Sequence, residues 1–238
     1  EMQRSLVGSE MCIRDSLNTY KLAKDIGFKN INVDLMIGLP EQTLQDVEDS
    51  LIDIITLNPK HISVYSLILE ENTKLEVLVN LGKLDLPTDE IEREMYWKVK
   101  EVLEANGYEH YEISNFAKKG YKSKHNYNCW KQHSYLGFGV AAHSYYNNTR
   151  YSNTNSLEEY LQNPDNKKIE ETQTIEDAKK EYMLLGLRTL EGVSISEFKQ
   201  KYLDNPLYLF KEELNKLTEE GLVEIDLDNI RLTNKGLD

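Results

Sequence analysis

The segment from Ile31 to Leu69 constrains the fold most, because its hydrophobic period changes twice. Ile31, Val33, Leu35 and Ile37 alternate with other residues, the period-two signature of a strand with one buried face. Gly38-Leu39-Pro40 ends that strand. Thr43 and Asp46 then make a capping-box pattern, and Leu44, Val47, Leu51 and Ile54 recur at helical spacing until Pro59. Ile62 to Leu69 reads as a second apolar strand. Strand, helix and strand on short links predict a βαβ unit in a parallel sheet.

Weaker signals flank this unit. Leu17, Tyr20, Leu22 and Ile26 fall loosely on one helical face with Gly27 as a stop. Residues 70–87 read as a loop or irregular insertion. Thr88 caps a predicted helix with Ile91, Met95, Val99, Val102 and Leu103 inward, and Tyr108 to Ile113 reads as a strand. Phe116 to Asn155 lacks clear periodicity, and Gln162 to Gln173 reads as a polar linker. Beyond it, Thr174/Asp177 and Ser194/Glu197 cap two helices, Pro206 opens a third, and Leu222 to Thr233 reads as a hairpin turning near Asp228-Asn229. Three helices and a β-wing predict a small winged-helix-like domain.

The first sixteen residues show neither period, and SLVGSEMCIRDS resembles translated sequencing-adaptor read-through. Residues 1–16 are therefore expected to be a non-native artefact, followed by a main region at 17–161 and a C-terminal domain at 174–238. Both ends read as cut, so the chain is expected to be a fragment. No apolar run is long enough to span a bilayer. The net charge is −13, and residues 170–238 hold nine basic and sixteen acidic residues. Phosphate-backbone affinity comes from Lys and Arg, so nucleic acid is excluded as the main partner. Two cysteines, Cys12 and Cys129, are too few for a disulfide-built secreted fold. The expectation is a cytoplasmic protein.

Chemistry concentrates between residues 108 and 151, which hold four of the five His, eight of the fifteen Tyr, Cys129 and Trp130. Aromatic rings beside imidazoles suit a flat apolar ligand with an axial metal. An aromatic-rich loop with satisfied histidines explains the same composition. Asp34, inside an apolar strand, fits either a hydrogen bond to a neighbouring strand or a ligand contact in a β/α barrel. The Gly-x-Gly of Leu136 to His143 could bring backbone close to a ligand but lacks a dinucleotide fingerprint. Glu70, Glu71, Glu109 and Glu112 read as solvated surface in so acidic a chain.

Several strings occur together in order: Asp34-Leu-Met-Ile-Gly-Leu-Pro-Glu-Gln-Thr43, His61-Ile-Ser-Val-Tyr-Ser-Leu67, Tyr111-Glu-Ile-Ser-Asn-Phe-Ala117, His125-Asn-Tyr-Asn-Cys-Trp130, Tyr135-Leu-Gly-Phe-Gly-Val-Ala-Ala-His-Ser144 and Leu185-Gly-Leu-Arg188. In this the chain resembles the radical S-adenosylmethionine proteins of the oxygen-independent coproporphyrinogen III oxidase group, and within it the HemW branch of heme chaperones. The resemblance runs from about Leu17 to the end.

The resemblance implies an α/β fold: part of a radical S-adenosylmethionine β/α (partial TIM-type) barrel, followed by the small helical domain. It implies three cofactors or ligands: S-adenosylmethionine, a [4Fe–4S] cluster and heme. Asp34, Ile68 and His143 match positions that contact S-adenosylmethionine. His125, Asn126 and Trp130 match a heme motif, with His125 as the iron ligand and Cys129 where the motif has Tyr. The family's Cys-x-x-x-Cys-x-x-Cys cluster loop is absent, so the chain is expected to be inactive as an enzyme by itself. The implied function is heme binding and delivery to an acceptor protein, with peripheral contact to membrane heme proteins. The alternative is radical oxidative decarboxylation in porphyrin biosynthesis.

Overall fold

The computed structural model describes residues 10–238, with side chains from residue 14 onward. The reading of residues 1–9, and of the Cys12 side chain, falls outside the described residues. Helix α1, Glu10–Ile26, includes residues 10–16, where the sequence shows no helical period. Of its apolar residues from Leu17 on, only Tyr20 is buried, and Leu22 and Ile26 stay exposed. The chain forms two compact units that divide between Lys122 and Ser123, so the motif at His125 to Trp130 is grouped with the C-terminal residues.

The first unit contains the predicted βαβ. Strands β1, Asn32–Ile37, and β2, His61–Ser66, pair in parallel with Asn32 opposite His61 and Asp34 opposite Ser63. Between them runs α2, Leu44–Leu57. Asp46 N donates to Thr43 Oγ1 at 3.2 Å and Thr43 N donates to Asp46 Oδ2 at 2.8 Å, so two orphan donors of the first turn are satisfied reciprocally. A short helix α3, Lys74–Asn80, occupies the segment expected to be loop. Helix α4, Asp89–Ala105, starts at Thr88 as expected.

The strand expected at 108–113 is β3, Glu109–Glu112, but it turns back at once into β4, Asn115–Ala117. The sheet order is β1-β2-β4-β3, with β4 antiparallel to β2 and β3 antiparallel to β4. The fold is therefore mixed α/β, and no closed barrel forms among the described residues. The link between β3 and β4 is two residues long, which permits a hairpin but no parallel crossover. One face of the sheet is covered by α2 and α4: Leu35, Ile37, Val47, Leu51, Ile62, Val99, Leu103 and Phe116 form its core.

The second unit begins with helix α5, Lys124–Trp130. Strands β5, His143–Tyr146, β6, Thr149–Asn153, and β7, Lys167–Thr172, form an antiparallel sheet, with α6, Leu157–Gln162, between the last two. Strand β7 thus occupies much of the expected polar linker. Helix α7, Ile175–Gly186, opens on the expected Thr174/Asp177 capping box. Then come β8, Val193–Ser194, α8, Ile195–Tyr202, α9, Pro206–Leu209, and α10, Lys211–Glu219. The helix expected from Pro206 is broken at Phe210, where φ is −111°. The expected hairpin is β9, Val223–Ile225, with β10, Asn229–Leu232, and a short α11, Asn234–Leu237, follows it. β8, β10 and β9 form one sheet around a core that includes Tyr182, Val193, Phe198, Leu214 and Ile230.

Candidate functional site

The face of the first sheet opposite α2 and α4 carries a polar cluster. Alternation along β1 and the parallel register put Asn32 and Asp34 beside His61 and Ser63 on that face. His61 is only 6% exposed and both its ring nitrogens are used. Nδ1 lies 2.6 Å from Asn32 Oδ1, which can only accept, so Nδ1 carries the proton and donates. Nε2, 2.7 Å from the Tyr111 hydroxyl, then accepts from it. Burial lowers the His61 pKa, against a smaller opposing pull from Asp34. Asp34 is exposed and accepts a 2.6 Å hydrogen bond from Asn32 Nδ2. Ile68 is exposed just beyond the C-terminal end of β2. Asp34 and Ile68 thus lie along neighbouring parallel strands.

Glu112, expected at the surface, is fully buried. It accepts from Asn115 Nδ2 and, at 3.2 Å, from Ser114 N. The tight β3–β4 turn folds those donors over the carboxylate, a local effect that charge counting misses.

In the second unit the residues of the His125 to Trp130 string separate. Ser123 caps α5, accepting from Asn126 N at 3.3 Å. His125, at the exposed first turn, meets the Tyr135 ring edge-on with centroids 6.4 Å apart, and no hydrogen bond engages its imidazole among the described residues. Trp130 lies five residues later, about 140° around the helix. Its ring packs beneath Arg188, whose guanidinium carbon is 4.4 Å from the ring centroid. His125 and Trp130 therefore do not face one another.

The C-terminal end of α5 is fastened at several points. The Tyr127 hydroxyl donates to Glu191, and Lys131 Nζ pairs with Glu197 at 3.3 Å. Gln132, buried and held at φ 54°, donates from Nε2 to Ala178 O and Glu181 Oε2, both at 3.0 Å. Its Oε1 accepts from Lys201 Nζ at 2.9 Å and from the Tyr202 hydroxyl at 2.6 Å. Each such bond is worth about 1 kcal/mol, and those involving charged groups more. One end of α5 is tied to α7 and α8 while the other presents His125.

His143 is exposed on β5, at the edge of a concavity of about 430 Å³ shared with Ser152, Lys167, Lys168 and Glu170. Lys168 pairs with Glu170 at 3.0 Å, and the Ser152 hydroxyl donates to the same carboxylate. The Ser152 hydrogen bond and then Lys168 hold Glu170 below the usual carboxylate range.

The two cysteines of the sequence stand 117 positions apart, fewer than the three thiolates that the resemblance implies for a [4Fe–4S] cluster. Burial pushes the Cys129 thiol pKa up, towards the protonated form that does not ligate. Among the described residues, no group of three or more His, Cys, Asp or Glu could hold a metal ion. No helix among them is long and apolar enough to cross a membrane.

A charge pattern that residue-by-residue reading misses marks the same region. Residues 113–157 contain no Asp or Glu but five Lys and one Arg, in a chain of net charge −13. Comparing local with global charge exposes it.

The comparisons bear on the whole chain. Residues 173–238 match the family model of the HemN C-terminal domain. The chain is 40% identical over 227 residues to the heme chaperone HemW of Bacillus subtilis (strain 168), covering 94% of this chain and 60% of that protein. It is 35% identical over 232 residues to the heme chaperone HemW of Lactococcus lactis, covering 97% of this chain and 60% of that protein. Among solved structures it superposes on coproporphyrinogen III oxidase (HemN) from Escherichia coli, a radical SAM enzyme, with a TM-score of 0.76. That match covers 98% of this chain and 58% of the other at 21% identity, which shows a shared fold. The chain spans about 60% of the length of these HemW relatives.

Proposed function

From its homology to the HemW heme chaperones along nearly its whole length, we propose that this chain is the heme-holding part of such a chaperone, which binds heme and hands it to an acceptor protein. The observation that carries the reading is His125: an exposed imidazole with no hydrogen-bond partner among the described residues, on a helix whose other end is fixed. Heme brings four nitrogen ligands of its own, so one protein imidazole suffices for axial ligation. An exposed axial ligand also suits transfer, because an acceptor can approach the metal from the open side.

This chain's own residues supply three parts of that function. His125 offers the ligating nitrogen, the fastening of α5 fixes where it points, and exposed Lys124 beside it favours an anionic ligand such as a porphyrin carrying propionates. The backbone N–H of residue 126 closes the cap on Ser123. S-adenosylmethionine contacts at Asp34, Ile68 and His143, a partial-barrel arrangement and a winged-helix-like C-terminal domain belong to the same reading, as does a cytoplasmic location. When present, S-adenosylmethionine and its cluster supply radical chemistry. The residues here do not fit the cluster, and no step is assigned to it. The oxidase alternative is less favoured: the relatives at 35–40% identity are heme chaperones, and the oxidase likeness is one of fold.

Hemin titration followed at the Soret band tests the proposal. Binding should shift the band, and His125→Ala should abolish the shift; an identical spectrum for the variant overturns the assignment of His125.

A further inference from the structure

Asp34 stands at the end of a hydrogen-bond chain that joins three strands. Its Oδ1 lies 2.6 Å from Asn32 Nδ2. A carboxylate only accepts, so the amide nitrogen of Asn32 faces Asp34 and the amide oxygen faces β2. There the oxygen takes two donors, His61 Nδ1 at 2.6 Å and Ser63 Oγ at 3.2 Å. His61 Nε2 is left to accept, and it takes the Tyr111 hydroxyl at 2.7 Å. Tyr111 reaches it from β3 past β4, where the small Ala117 stands opposite His61. Each group thus dictates the orientation of the next. Reversing the Asn32 amide would set two acceptors against each other at Asp34.

The chain runs from a buried end to an open one. Tyr111 and His61 are 3% and 6% exposed, whereas Asn32 and Asp34 are exposed. Asn32 engages one carboxylate oxygen of Asp34, and the other makes no hydrogen bond among the described residues. One step further along the same face, Met36 and Tyr65 lie opposite each other in the parallel register, both exposed. An open carboxylate oxygen beside two exposed apolar side chains suits a ligand that presents hydroxyl donors and a flat ring, as the nucleoside of S-adenosylmethionine does.

We propose that His61 and Asn32 are positioning residues for Asp34, holding one carboxylate oxygen so that the other meets the ligand. This rests on the S-adenosylmethionine reading of Asp34 and adds the groups that aim the contact. A carboxylate fixed beforehand escapes the ordering cost that a freely rotating one meets on binding. His61 acts through Asn32 alone: its Nδ1–H sets the amide, and Tyr111 sets the ring.

The experiment titrates S-adenosylmethionine into the full chain by calorimetry at neutral pH, with the stability of each variant followed by chemical denaturation. Asp34→Ala should weaken binding about tenfold or more. Asn32→Asp keeps an acceptor for His61 and Ser63 but turns a second carboxylate on Asp34, and should also weaken binding about tenfold. His61→Leu should weaken it about fivefold, whereas His61→Asn, which puts an N–H donor where Nδ1 stands, should stay within about twofold of the parent. Both His61 variants lose the hydrogen bond to Tyr111 and should lose stability alike, so binding separates them where stability does not. Equal loss of binding in His61→Leu and His61→Asn overturns the positioning role of His61. Parent-like binding by Asn32→Asp and His61→Leu, with Asp34→Ala weakened, overturns the relay and leaves the S-adenosylmethionine reading standing. Parent-like binding by Asp34→Ala, or a parent chain that binds nothing, overturns that reading and this proposal with it.

Discussion

His61 and His125 belong to two regions that treat the same side chain in opposite ways. On the first sheet, His61 is buried, donates to Asn32 and accepts from Tyr111. On α5, His125 is exposed and meets the Tyr135 ring in a T-shaped contact, with no hydrogen bond to its imidazole among the described residues. An imidazole whose two nitrogens are both committed adds stability and has no lone pair left for a metal. One without partners adds little stability and is free to ligate. Both lie in motifs of the resemblance, so motif membership alone does not separate structural from functional histidines, whereas the hydrogen-bond count does.

Four expectations would break or sharpen that contrast. The largest concerns the core behind the first sheet. Phe116 is fully buried and stacked on His110 at 4.4 Å, and Phe116→Ala should cost about 3–5 kcal/mol in chemical denaturation. A loss below 1 kcal/mol would mean that the sheet's covered face is not its stabilising face.

Acid should follow. Burial lowers the pKa of His110 from 6.5 to about 4, with a backbone hydrogen bond to Ile113 opposing. The fold therefore holds His110 neutral, while the unfolded chain takes up a proton near 6.5. This contribution is complete above pH 6.5, is lost as the pH falls through about 4, and amounts to about 3 kcal/mol. Denaturation at pH 7 and pH 4.5 should show it, and His110→Gln should reduce the difference between the two.

Removing the committed histidine comes third. His61→Ala strips partners from Asn32 and Tyr111 and should cost about 1–3 kcal/mol. Last, His125→Ala should change stability by no more than about 0.5 kcal/mol, because the side chain is exposed and makes no hydrogen bond among the described residues. If the two histidine variants were equally destabilised, the contrast between the regions would collapse.

Much of the first unit was legible in the sequence. The βαβ, its capping box and the helix from Thr88 all appear where period and caps place them, because those elements bury one apolar face against one core. The hairpin of β3 and β4 was not, since its strands are too short to show a period. Nor was the sheet of β5 to β7, whose strand β7 is exposed throughout and so has no apolar stripe. Two signals were nonetheless present. Asn147-Asn148, both at positive φ, make the tight turn between β5 and β6, and Thr73 with Glu76 caps α3 inside the supposed loop.

Composition singled out residues 108–151, but nothing in it gave the geometry of the residues there. The spacing of His125 and Trp130 reads as a pair only in a list. On a helix it sends the two rings to different sides, and only the Arg188 contact reveals what the Trp does.

The close approach of Gly137 to β5 has a consequence for how mutations there would be read. Any side chain at 137 collides with the His143 carbonyl, while its neighbour Phe138 projects into water. A saturation library scored on folding should therefore admit nearly every residue at 138 and reject nearly every one at 137. Two adjacent letters of the chain would then carry very different amounts of information about the shape of the backbone.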